Sequence, residues 1–260
     1  MVNKFIYLDN AATTHMRSEV IEAITFDMKQ HYANPSSSHD LAKQVRRVIE
    51  SARNTIADSI NCFPNELIFT SGGTESNNLA ILGCARAKRD KGRHVVTSKI
   101  EHGSVLNAVR HLEKEGFEIT CVDVDANGLV DVESVLKAIR SDTVLVSIMC
   151  VNNEIGTIQP IREIAKHTRT RGVVMHTDAV QALGKIQVDI KELGVDFLSI
   201  SSHKIHGSKG TGILYARTGM EFMPLMFGGH QEQARRPGTE NTAGIVGIEK
   251  AIGLITDGML

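Results

Sequence analysis

Charge of one sign is what this 260-residue chain lacks first: 29 Lys and Arg stand against 30 Asp and Glu. With no net field to hold a nucleic acid or an anionic membrane surface, its partners are expected among small molecules and proteins. Long hydrophobic runs are lacking too. The longest apolar stretch, residues 144–151, falls well short of a membrane span and contains Ser147. Residues 1–8 carry one Lys and lead straight to Asp9 and Asn10, with no apolar core or small-residue cleavage site of a secretory leader. A cytoplasmic protein is expected. Cysteines are few. Cys62, Cys84, Cys121 and Cys150 lie 22, 37 and 29 residues apart, which excludes a CxxC knuckle or redox pair, and their apolar contexts predict reduced, buried thiols.

What is present is the ordinary mixture of a soluble globular protein, 42% hydrophobic and 23% charged. The length allows one large domain or two small ones. Apolar positions at Val45, Val48, Ile49, Ala52, Ile56 and Ile60 share one helical face, and Ser38 or Asp40 can cap that helix. From there strands are predicted over 67–70, 95–97, 118–122, 144–150, 173–176, 197–200 and 212–215. Helices are predicted over 75–88, 104–113, 132–139 and 161–170, with a last one from 243. Strands without period-2 alternation, separated by amphipathic helices, predict a mostly parallel sheet covered on both faces, an α/β fold.

Three pieces of this pattern carry chemistry. Ser71-Gly72-Gly73-Thr74 joins a strand to a helix, so backbone N–H groups and the helix N-terminus can converge on a phosphate. It has neither the Lys of a Walker loop nor GxGxxG, and a glycine pair there also serves as a plain turn. Asp178 ends a strand, where open α/β sheets bind ligands, and can hold a cationic ring nitrogen; a helix N-cap is the equally simple reading. Lys204 follows another strand by four residues. A lone Lys is normally a solvated surface residue, yet a desolvated Lys beside a carbonyl can bond it covalently. His102, directly after a strand, can stack on a flat ring or merely cap a helix. His203 and His206 form an HxxH, but no third ligand or HExxH accompanies them, so no metal is expected.

Phosphate cradle, Asp and then a Lys 26 residues later is the set that pyridoxal phosphate requires. With Tyr7-Leu8-Asp9-Asn10-Ala11-Ala12-Thr13-Thr14, Asn34-Pro35-Ser36-Ser37, Phe69-Thr70-Ser71-Gly72-Gly73-Thr74-Glu75-Ser76-Asn77-Asn78, Glu101-His102, Val151-Asn152-Asn153-Glu154-Ile155-Gly156, His176-Thr177-Asp178-Ala179-Val180-Gln181, Ser201-Ser202-His203-Lys204-Ile205-His206-Gly207 and Arg236-Pro237-Gly238-Thr239-Glu240-Asn241, the chain resembles the cysteine desulfurase family of class V, fold-type I enzymes over essentially its whole length.

The resemblance implies a three-layer α/β/α large domain with a mostly parallel mixed sheet, binding pyridoxal 5'-phosphate. Segment 1–15 would precede an α/β core at 16–242, and 243–260 would begin the helix leading to a small domain. Lys204 matches the lysine that bonds the cofactor and later moves protons at Cα, and Asp178 the partner of the pyridinium nitrogen. His102 matches the stacking histidine proposed for proton transfer. Gln181 matches the residue bonding the phenolic oxygen, and Asn153 one near that oxygen and the substrate carboxylate. Gly73 lies in the phosphate cradle; Thr74, Ser201 and His203 match phosphate ligands, and Thr239 one that reaches across a homodimer interface. The implied reaction removes sulfur from L-cysteine, giving alanine and an enzyme persulfide for a sulfur-acceptor or scaffold protein in iron–sulfur cluster or thiolation pathways.

The family's nucleophilic-cysteine loop and its substrate-clamping arginine match nothing here. A fragment inactive by itself is therefore expected; selenocysteine lyase, an aminotransferase, or a truncated dimerising homologue are the other readings.

Overall fold

A computed structural model of the chain describes residues 6–256 and 258. Segment 1–15 is thus described from residue 6, and the last positions of the expected 243–260 helix lie outside the described residues.

Two helices come first, α1 (Ser18–Gln30) and α2 (Asp40–Ser59). Then strands and helices alternate: β1 (Leu67–Thr70), α3 (Gly73–Ala87), β2 (His94–Ser98), α4 (Gly103–Lys114), β3 (Glu118–Val122), α5 (Val132–Ala138), β4 (Thr143–Ser147) and α6 (Ile161–Thr170). They continue with β5 (Val174–Asp178), α7 (Ile190–Leu193), β6 (Phe197–Ser201), β7 (Gly212–Ala216) and α8 (Thr242–Thr256). The strands form one sheet in the order β1-β7-β6-β5-β4-β2-β3. β7 runs antiparallel to both neighbours and every other pairing is parallel, so β1 to β6 all end at the same edge. The three-layer architecture with a mostly parallel mixed sheet is as expected.

The central strands read as unbroken apolar runs because each face has its own core. Along β5 to β7, Met175, Leu198, Ile200, Ile213 and Tyr215 join the core under α2, α5, α6 and α8. Their neighbours Val174, Phe197, Leu214 and Ala216 join the core under α3 and α4. Side chains alternate while hydrophobicity does not.

Four sequence expectations change. α2 is capped by His39, whose Nδ1 accepts the Ala42 N–H at 3.2 Å, while Asp40 is helical and pairs with Lys43 at 2.9 Å. β4 stops at Ser147, after which the chain stays buried: the Ile148 and Cys150 N–H groups still reach the His176 and Asp178 carbonyls of β5, while the Met149 N–H turns to Glu101. The outer strand β3 has its second lateral edge open, and Cys121 there is exposed; Cys62, just after α2, is only half-buried, whereas Cys84 and Cys150 are buried. Finally α1, which no pattern marked, lies on α8 and buries little besides Val20 and Asp27.

Candidate active site

The shared strand ends form the floor of a cavity of about 460 Å³. β2 delivers His102, β4 leads to Met149 and Asn153, β5 ends in Asp178, and β6 leads to Ser201, His203 and Lys204, all of which line it. The turn after β1 adds Gly73 and Thr74, and the turn after β5 adds Gln181. Nine of the ten residues singled out from sequence thus share one cavity. Thr239 is the exception: it is exposed and is not among the lining residues.

The glycine pair is required here. A Cβ on Gly73 would stand 2.6 Å from Val180 Cγ2, and a Cβ on Gly212 would stand 2.5 Å from the Gly72 Cα. Gly72, at φ +150°, caps α3 with no side chain. The N-terminal turn of this 15-residue helix therefore faces the cavity through bare backbone, where its N–H groups and dipole favour an anion. Glu75 braces the turn from outside, accepting the Ser71 N–H at 2.7 Å and pairing with Arg236 at 2.9 Å.

Asp178 is no helix cap, since no helix follows it. Its Oδ1 accepts the Val180 N–H at 3.0 Å and its Oδ2 accepts the Asn77 amide at 2.6 Å. Burial pushes the carboxyl above its ordinary value, while those two bonds and the charges of His102 and Lys204 pull the other way. A cation placed against it would favour the ionised form. Asn77 also donates to Ser104 Oγ at 2.8 Å, and Ser104 Oγ lies 2.8 Å from His102 Nδ1. His102 caps α4, accepting the Ser104 N–H at 3.1 Å, and it also lines the cavity.

Lys204 is held beneath the N-terminal segment. Its Nζ donates to the carbonyls of Ala11 and Ala12, the latter at 2.9 Å. Burial lowers its proton affinity, with Asp178, Asp9 and Glu154 opposing. Thr14 fastens this segment, donating its N–H and hydroxyl to the His203 carbonyl at 2.9 and 2.8 Å, and accepting the His206 N–H at 2.7 Å. The histidines of the HxxH spend Nδ1 on Thr13 Oγ1 and the His15 carbonyl, at 3.0 and 2.8 Å. Among the described residues no three metal-ligating side chains group together, and no helix is long and apolar enough to cross a membrane.

Sequence reasoning passed over Asn77, Ser104, Glu154 and Lys185. Asn77 and Glu154 stood inside quoted motifs; Ser104 lies two residues after His102 and Lys185 four after Gln181, whose Oε1 accepts from the Lys185 amine, but the link of Ser104 to Asn77 appears only in the fold.

A three-layer α/β/α sheet whose strand ends gather a glycine cradle, a buried carboxylate, a histidine and a lysine in one cavity defines a fold-type I pyridoxal phosphate protein. The sequence pattern of the aminotransferase class-V family matches residues 6–260, and the chain belongs to that family. It is 53% identical over 96% of its length to the cysteine desulfurase IscS of Dictyoglomus turgidum. To the cysteine desulfurase IscS of Methanosarcina thermophila it is 50% identical over 98% of its length. The chain spans 63% of the length of each of these curated relatives. Among solved structures it is similar to a NifS-like protein, with a TM-score of 0.95 at 38% identity, covering 98% of this chain and 70% of that one. It also resembles SspA in complex with cysteine, with a TM-score of 0.93 at 41% identity, covering 96% of this chain and 72% of that one.

Enzymes of this family use pyridoxal 5'-phosphate, and the residues present fit it. The close approach of Gly73 to Val180 leaves bare backbone for a phosphate. The buried Asp178 offers an anionic partner to a protonated ring nitrogen, and the Lys204 amine reaches the same cavity.

Proposed function

We propose that this chain carries the cofactor-binding part of a cytosolic, homodimeric L-cysteine desulfurase that passes sulfur to an acceptor protein. The convergence of Lys204, Asp178, His102 and the Gly73 cradle on one cavity carries the reading, and the likeness to named desulfurases supplies the substrate. When bound, pyridoxal 5'-phosphate supplies an electron sink for the pair left at the amino acid's Cα.

The chain's own residues do the rest. The amides at the start of α3, with Thr74, Ser201 and His203, would hold the phosphate, and Asp178 would keep the ring nitrogen protonated. Gln181 and Asn153 line the same cavity and would meet the polar edge of the ring, and His102 would cover a ring face. Burial lowers the proton affinity of Lys204, which favours release of its proton, so Nζ would hold the cofactor through its aldehyde and, once the substrate amine has displaced it, would take the proton from Cα. A cysteine thiolate would then attack the substrate sulfur, forming the S–S bond of a persulfide as the carbon–sulfur bond breaks, its electron pair staying with the carbon, which gains a proton and leaves as alanine.

None of the chain's four cysteines suits that last role. No cysteine lines the cavity, and burial pushes the thiols of Cys62 and Cys84 up to about 12 and that of Cys150 up to about 11. Thiolate chemistry at neutral pH needs the opposite shift. Thr239 would serve the partner subunit. It is exposed outside its own cavity, on a segment tied down by the Arg236–Glu75 pair and by Glu232, which holds Arg53 at 2.6 Å.

Two measurements test the reading. Purified chain mixed with pyridoxal 5'-phosphate should gain visible absorbance, and borohydride should fix the cofactor on Lys204, as read by peptide mass spectrometry. Label elsewhere, or none in folded protein, rejects the cofactor site. In protein of the relatives' full length, alanine release from cysteine should vanish on Lys204→Ala; retained turnover rejects the reaction.

A further inference from the structure

We propose that Ser104 and Asn77 are positioning residues that fix His102 as its Nε2–H tautomer, so that His102 presents a hydrogen-bond donor, and no free lone pair, to whatever lies over it in the cavity. This rests on the reading of the cavity as a cofactor site only for its use; the tautomer itself follows from protons already in place.

The assignment begins with the backbone. The Ser104 amide has one proton at a fixed position and donates it to His102 Nδ1 at 3.1 Å. Nδ1 therefore carries a lone pair, and in the neutral ring the proton sits on Nε2. The side chains repeat the instruction independently. Asn77 must turn its Nδ2 toward Asp178 Oδ2, since an amide oxygen 2.6 Å from a carboxylate oxygen would repel it. Its second N–H then goes to Ser104 Oγ at 2.8 Å. With that lone pair used, the single hydroxyl proton of Ser104 is free to be donated to His102 Nδ1, 2.8 Å away. Asp178, Asn77, Ser104 and His102 thus form one chain whose protons point outward from the Asn77 amide, to Asp178 on one side and through Ser104 to His102 on the other. The orphaned, buried Asn77 Oδ1 is what this orientation leaves behind.

The chemical result is a division of labour. Among the described residues no hydrogen bond to His102 Nε2 occurs, so its N–H remains available toward the cavity that His102 lines. Neutral His102 can hydrogen-bond an oxygen or sulfur lone pair on a substrate. It cannot take a proton at Nε2 until it has given one up, so proton uptake at Cα falls to Lys204. Because Asn77 grips both Asp178 and Ser104, the carboxylate that would face the ring nitrogen and the imidazole that would cover the ring are held in fixed relation.

The test needs no cofactor and no turnover. In ¹⁵N-histidine-labelled chain at mildly alkaline pH, long-range proton–nitrogen correlations distinguish the two ring nitrogens, and His102→Gln identifies the signals. Nδ1 of His102 should report as the unprotonated acceptor. An unconstrained imidazole already leans toward Nε2–H, so the decisive comparison is Ser104→Ala, which should lower the tautomer ratio roughly 2- to 12-fold for one lost hydrogen bond. Ser104→Thr, which keeps the hydroxyl, should restore it. A protonated Nδ1 in the unaltered chain, or an unchanged ratio in Ser104→Ala with the fold intact, overturns the proposal. Failure of borohydride to label Lys204 would reject the cofactor site and leave the tautomer standing.

Discussion

Replacing Glu101 by Gln should change how stability depends on pH, by an amount the structure sets. Glu101 is 5% exposed; its Oε1 accepts the Ser98 hydroxyl at 2.6 Å and the Met149 N–H at 2.9 Å, while its buried Oε2 has no partner. Burial, aided by the nearby Asp178 carboxylate, pushes this carboxyl from 4.5 up to about 8 against the pull of those two bonds. The folded chain therefore keeps a proton that the unfolded chain releases near 4.5, so stability must fall as pH rises through that window. Between about pH 5 and pH 7.5, at roughly 1.4 kcal/mol per unit, the loss is about 3 kcal/mol. Gln keeps the oxygen at Oε1 and cannot ionise. Urea unfolding of both proteins without cofactor should show the stability difference moving by about 3 kcal/mol in the variant's favour across that range. A difference that stays constant within about 0.5 kcal/mol would mean that Glu101 is ionised in the fold, and the reasoning would be refuted.

Three further outcomes follow from named contacts. Gly73→Ala should weaken pyridoxal 5'-phosphate binding, because its Cβ meets Val180 Cγ2 at 2.6 Å at a cost of about 1–3 kcal/mol, and adding Val180→Ala should recover affinity in the same titration. Arg53→Met strands the buried Glu232 carboxylate, whose remaining donor is the Phe69 N–H at 2.9 Å, and should cost about 3–5 kcal/mol in urea unfolding; Arg53→Met with Glu232→Leu should cost less. Iodoacetamide near neutral pH should modify Cys121 first and leave Cys84 and Cys150 intact until the chain unfolds, as read by mass spectrometry.

Much of the site was legible because its parts sit where a strand ends, a position that leaves a mark in sequence. The step from 67–70 through Ser71-Gly72-Gly73-Thr74 to a helical pattern fixed the cradle, and Asp178 and Lys204 each follow a β-rich run. What escaped is what depends on partners distant in sequence. Asn77 meets Asp178 across 101 positions and Ser104 across 27, and no local periodicity signals such a bond. The overlong β4 has a related cause. Hydrophobicity reports burial, and residues 148–150 stay buried past the end of β4, where the Ile148 and Cys150 N–H groups still reach β5 carbonyls but the Met149 N–H turns to Glu101. Helix α1 was missed for the opposite reason: it leaves Ile21, Phe26 and Met28 exposed, so its apolar residues do not mark a single buried face.

The ionisable groups under the cavity explain how one carboxylate can be reserved for a bound cation. His176, fully buried in β5 between Ser147 Oγ at 2.8 Å and Ser199 Oγ at 3.1 Å, is pushed down to about 3 by burial and stays neutral at physiological pH. Cys150 keeps its proton, and Glu101 keeps most of its own up to about pH 8. Each neutralisation removes a charge that would compete with Asp178, as cation or as anion, in a medium where such competition is weakly screened. Asp178 alone combines burial with two donors, Asn77 and Val180, and with the positive field of Lys204. Burial makes its charge costly, and a protonated ring nitrogen would remove much of that cost. The affinity for such a ring and the weakness of Asp178 as an acid then have the same origin in its burial.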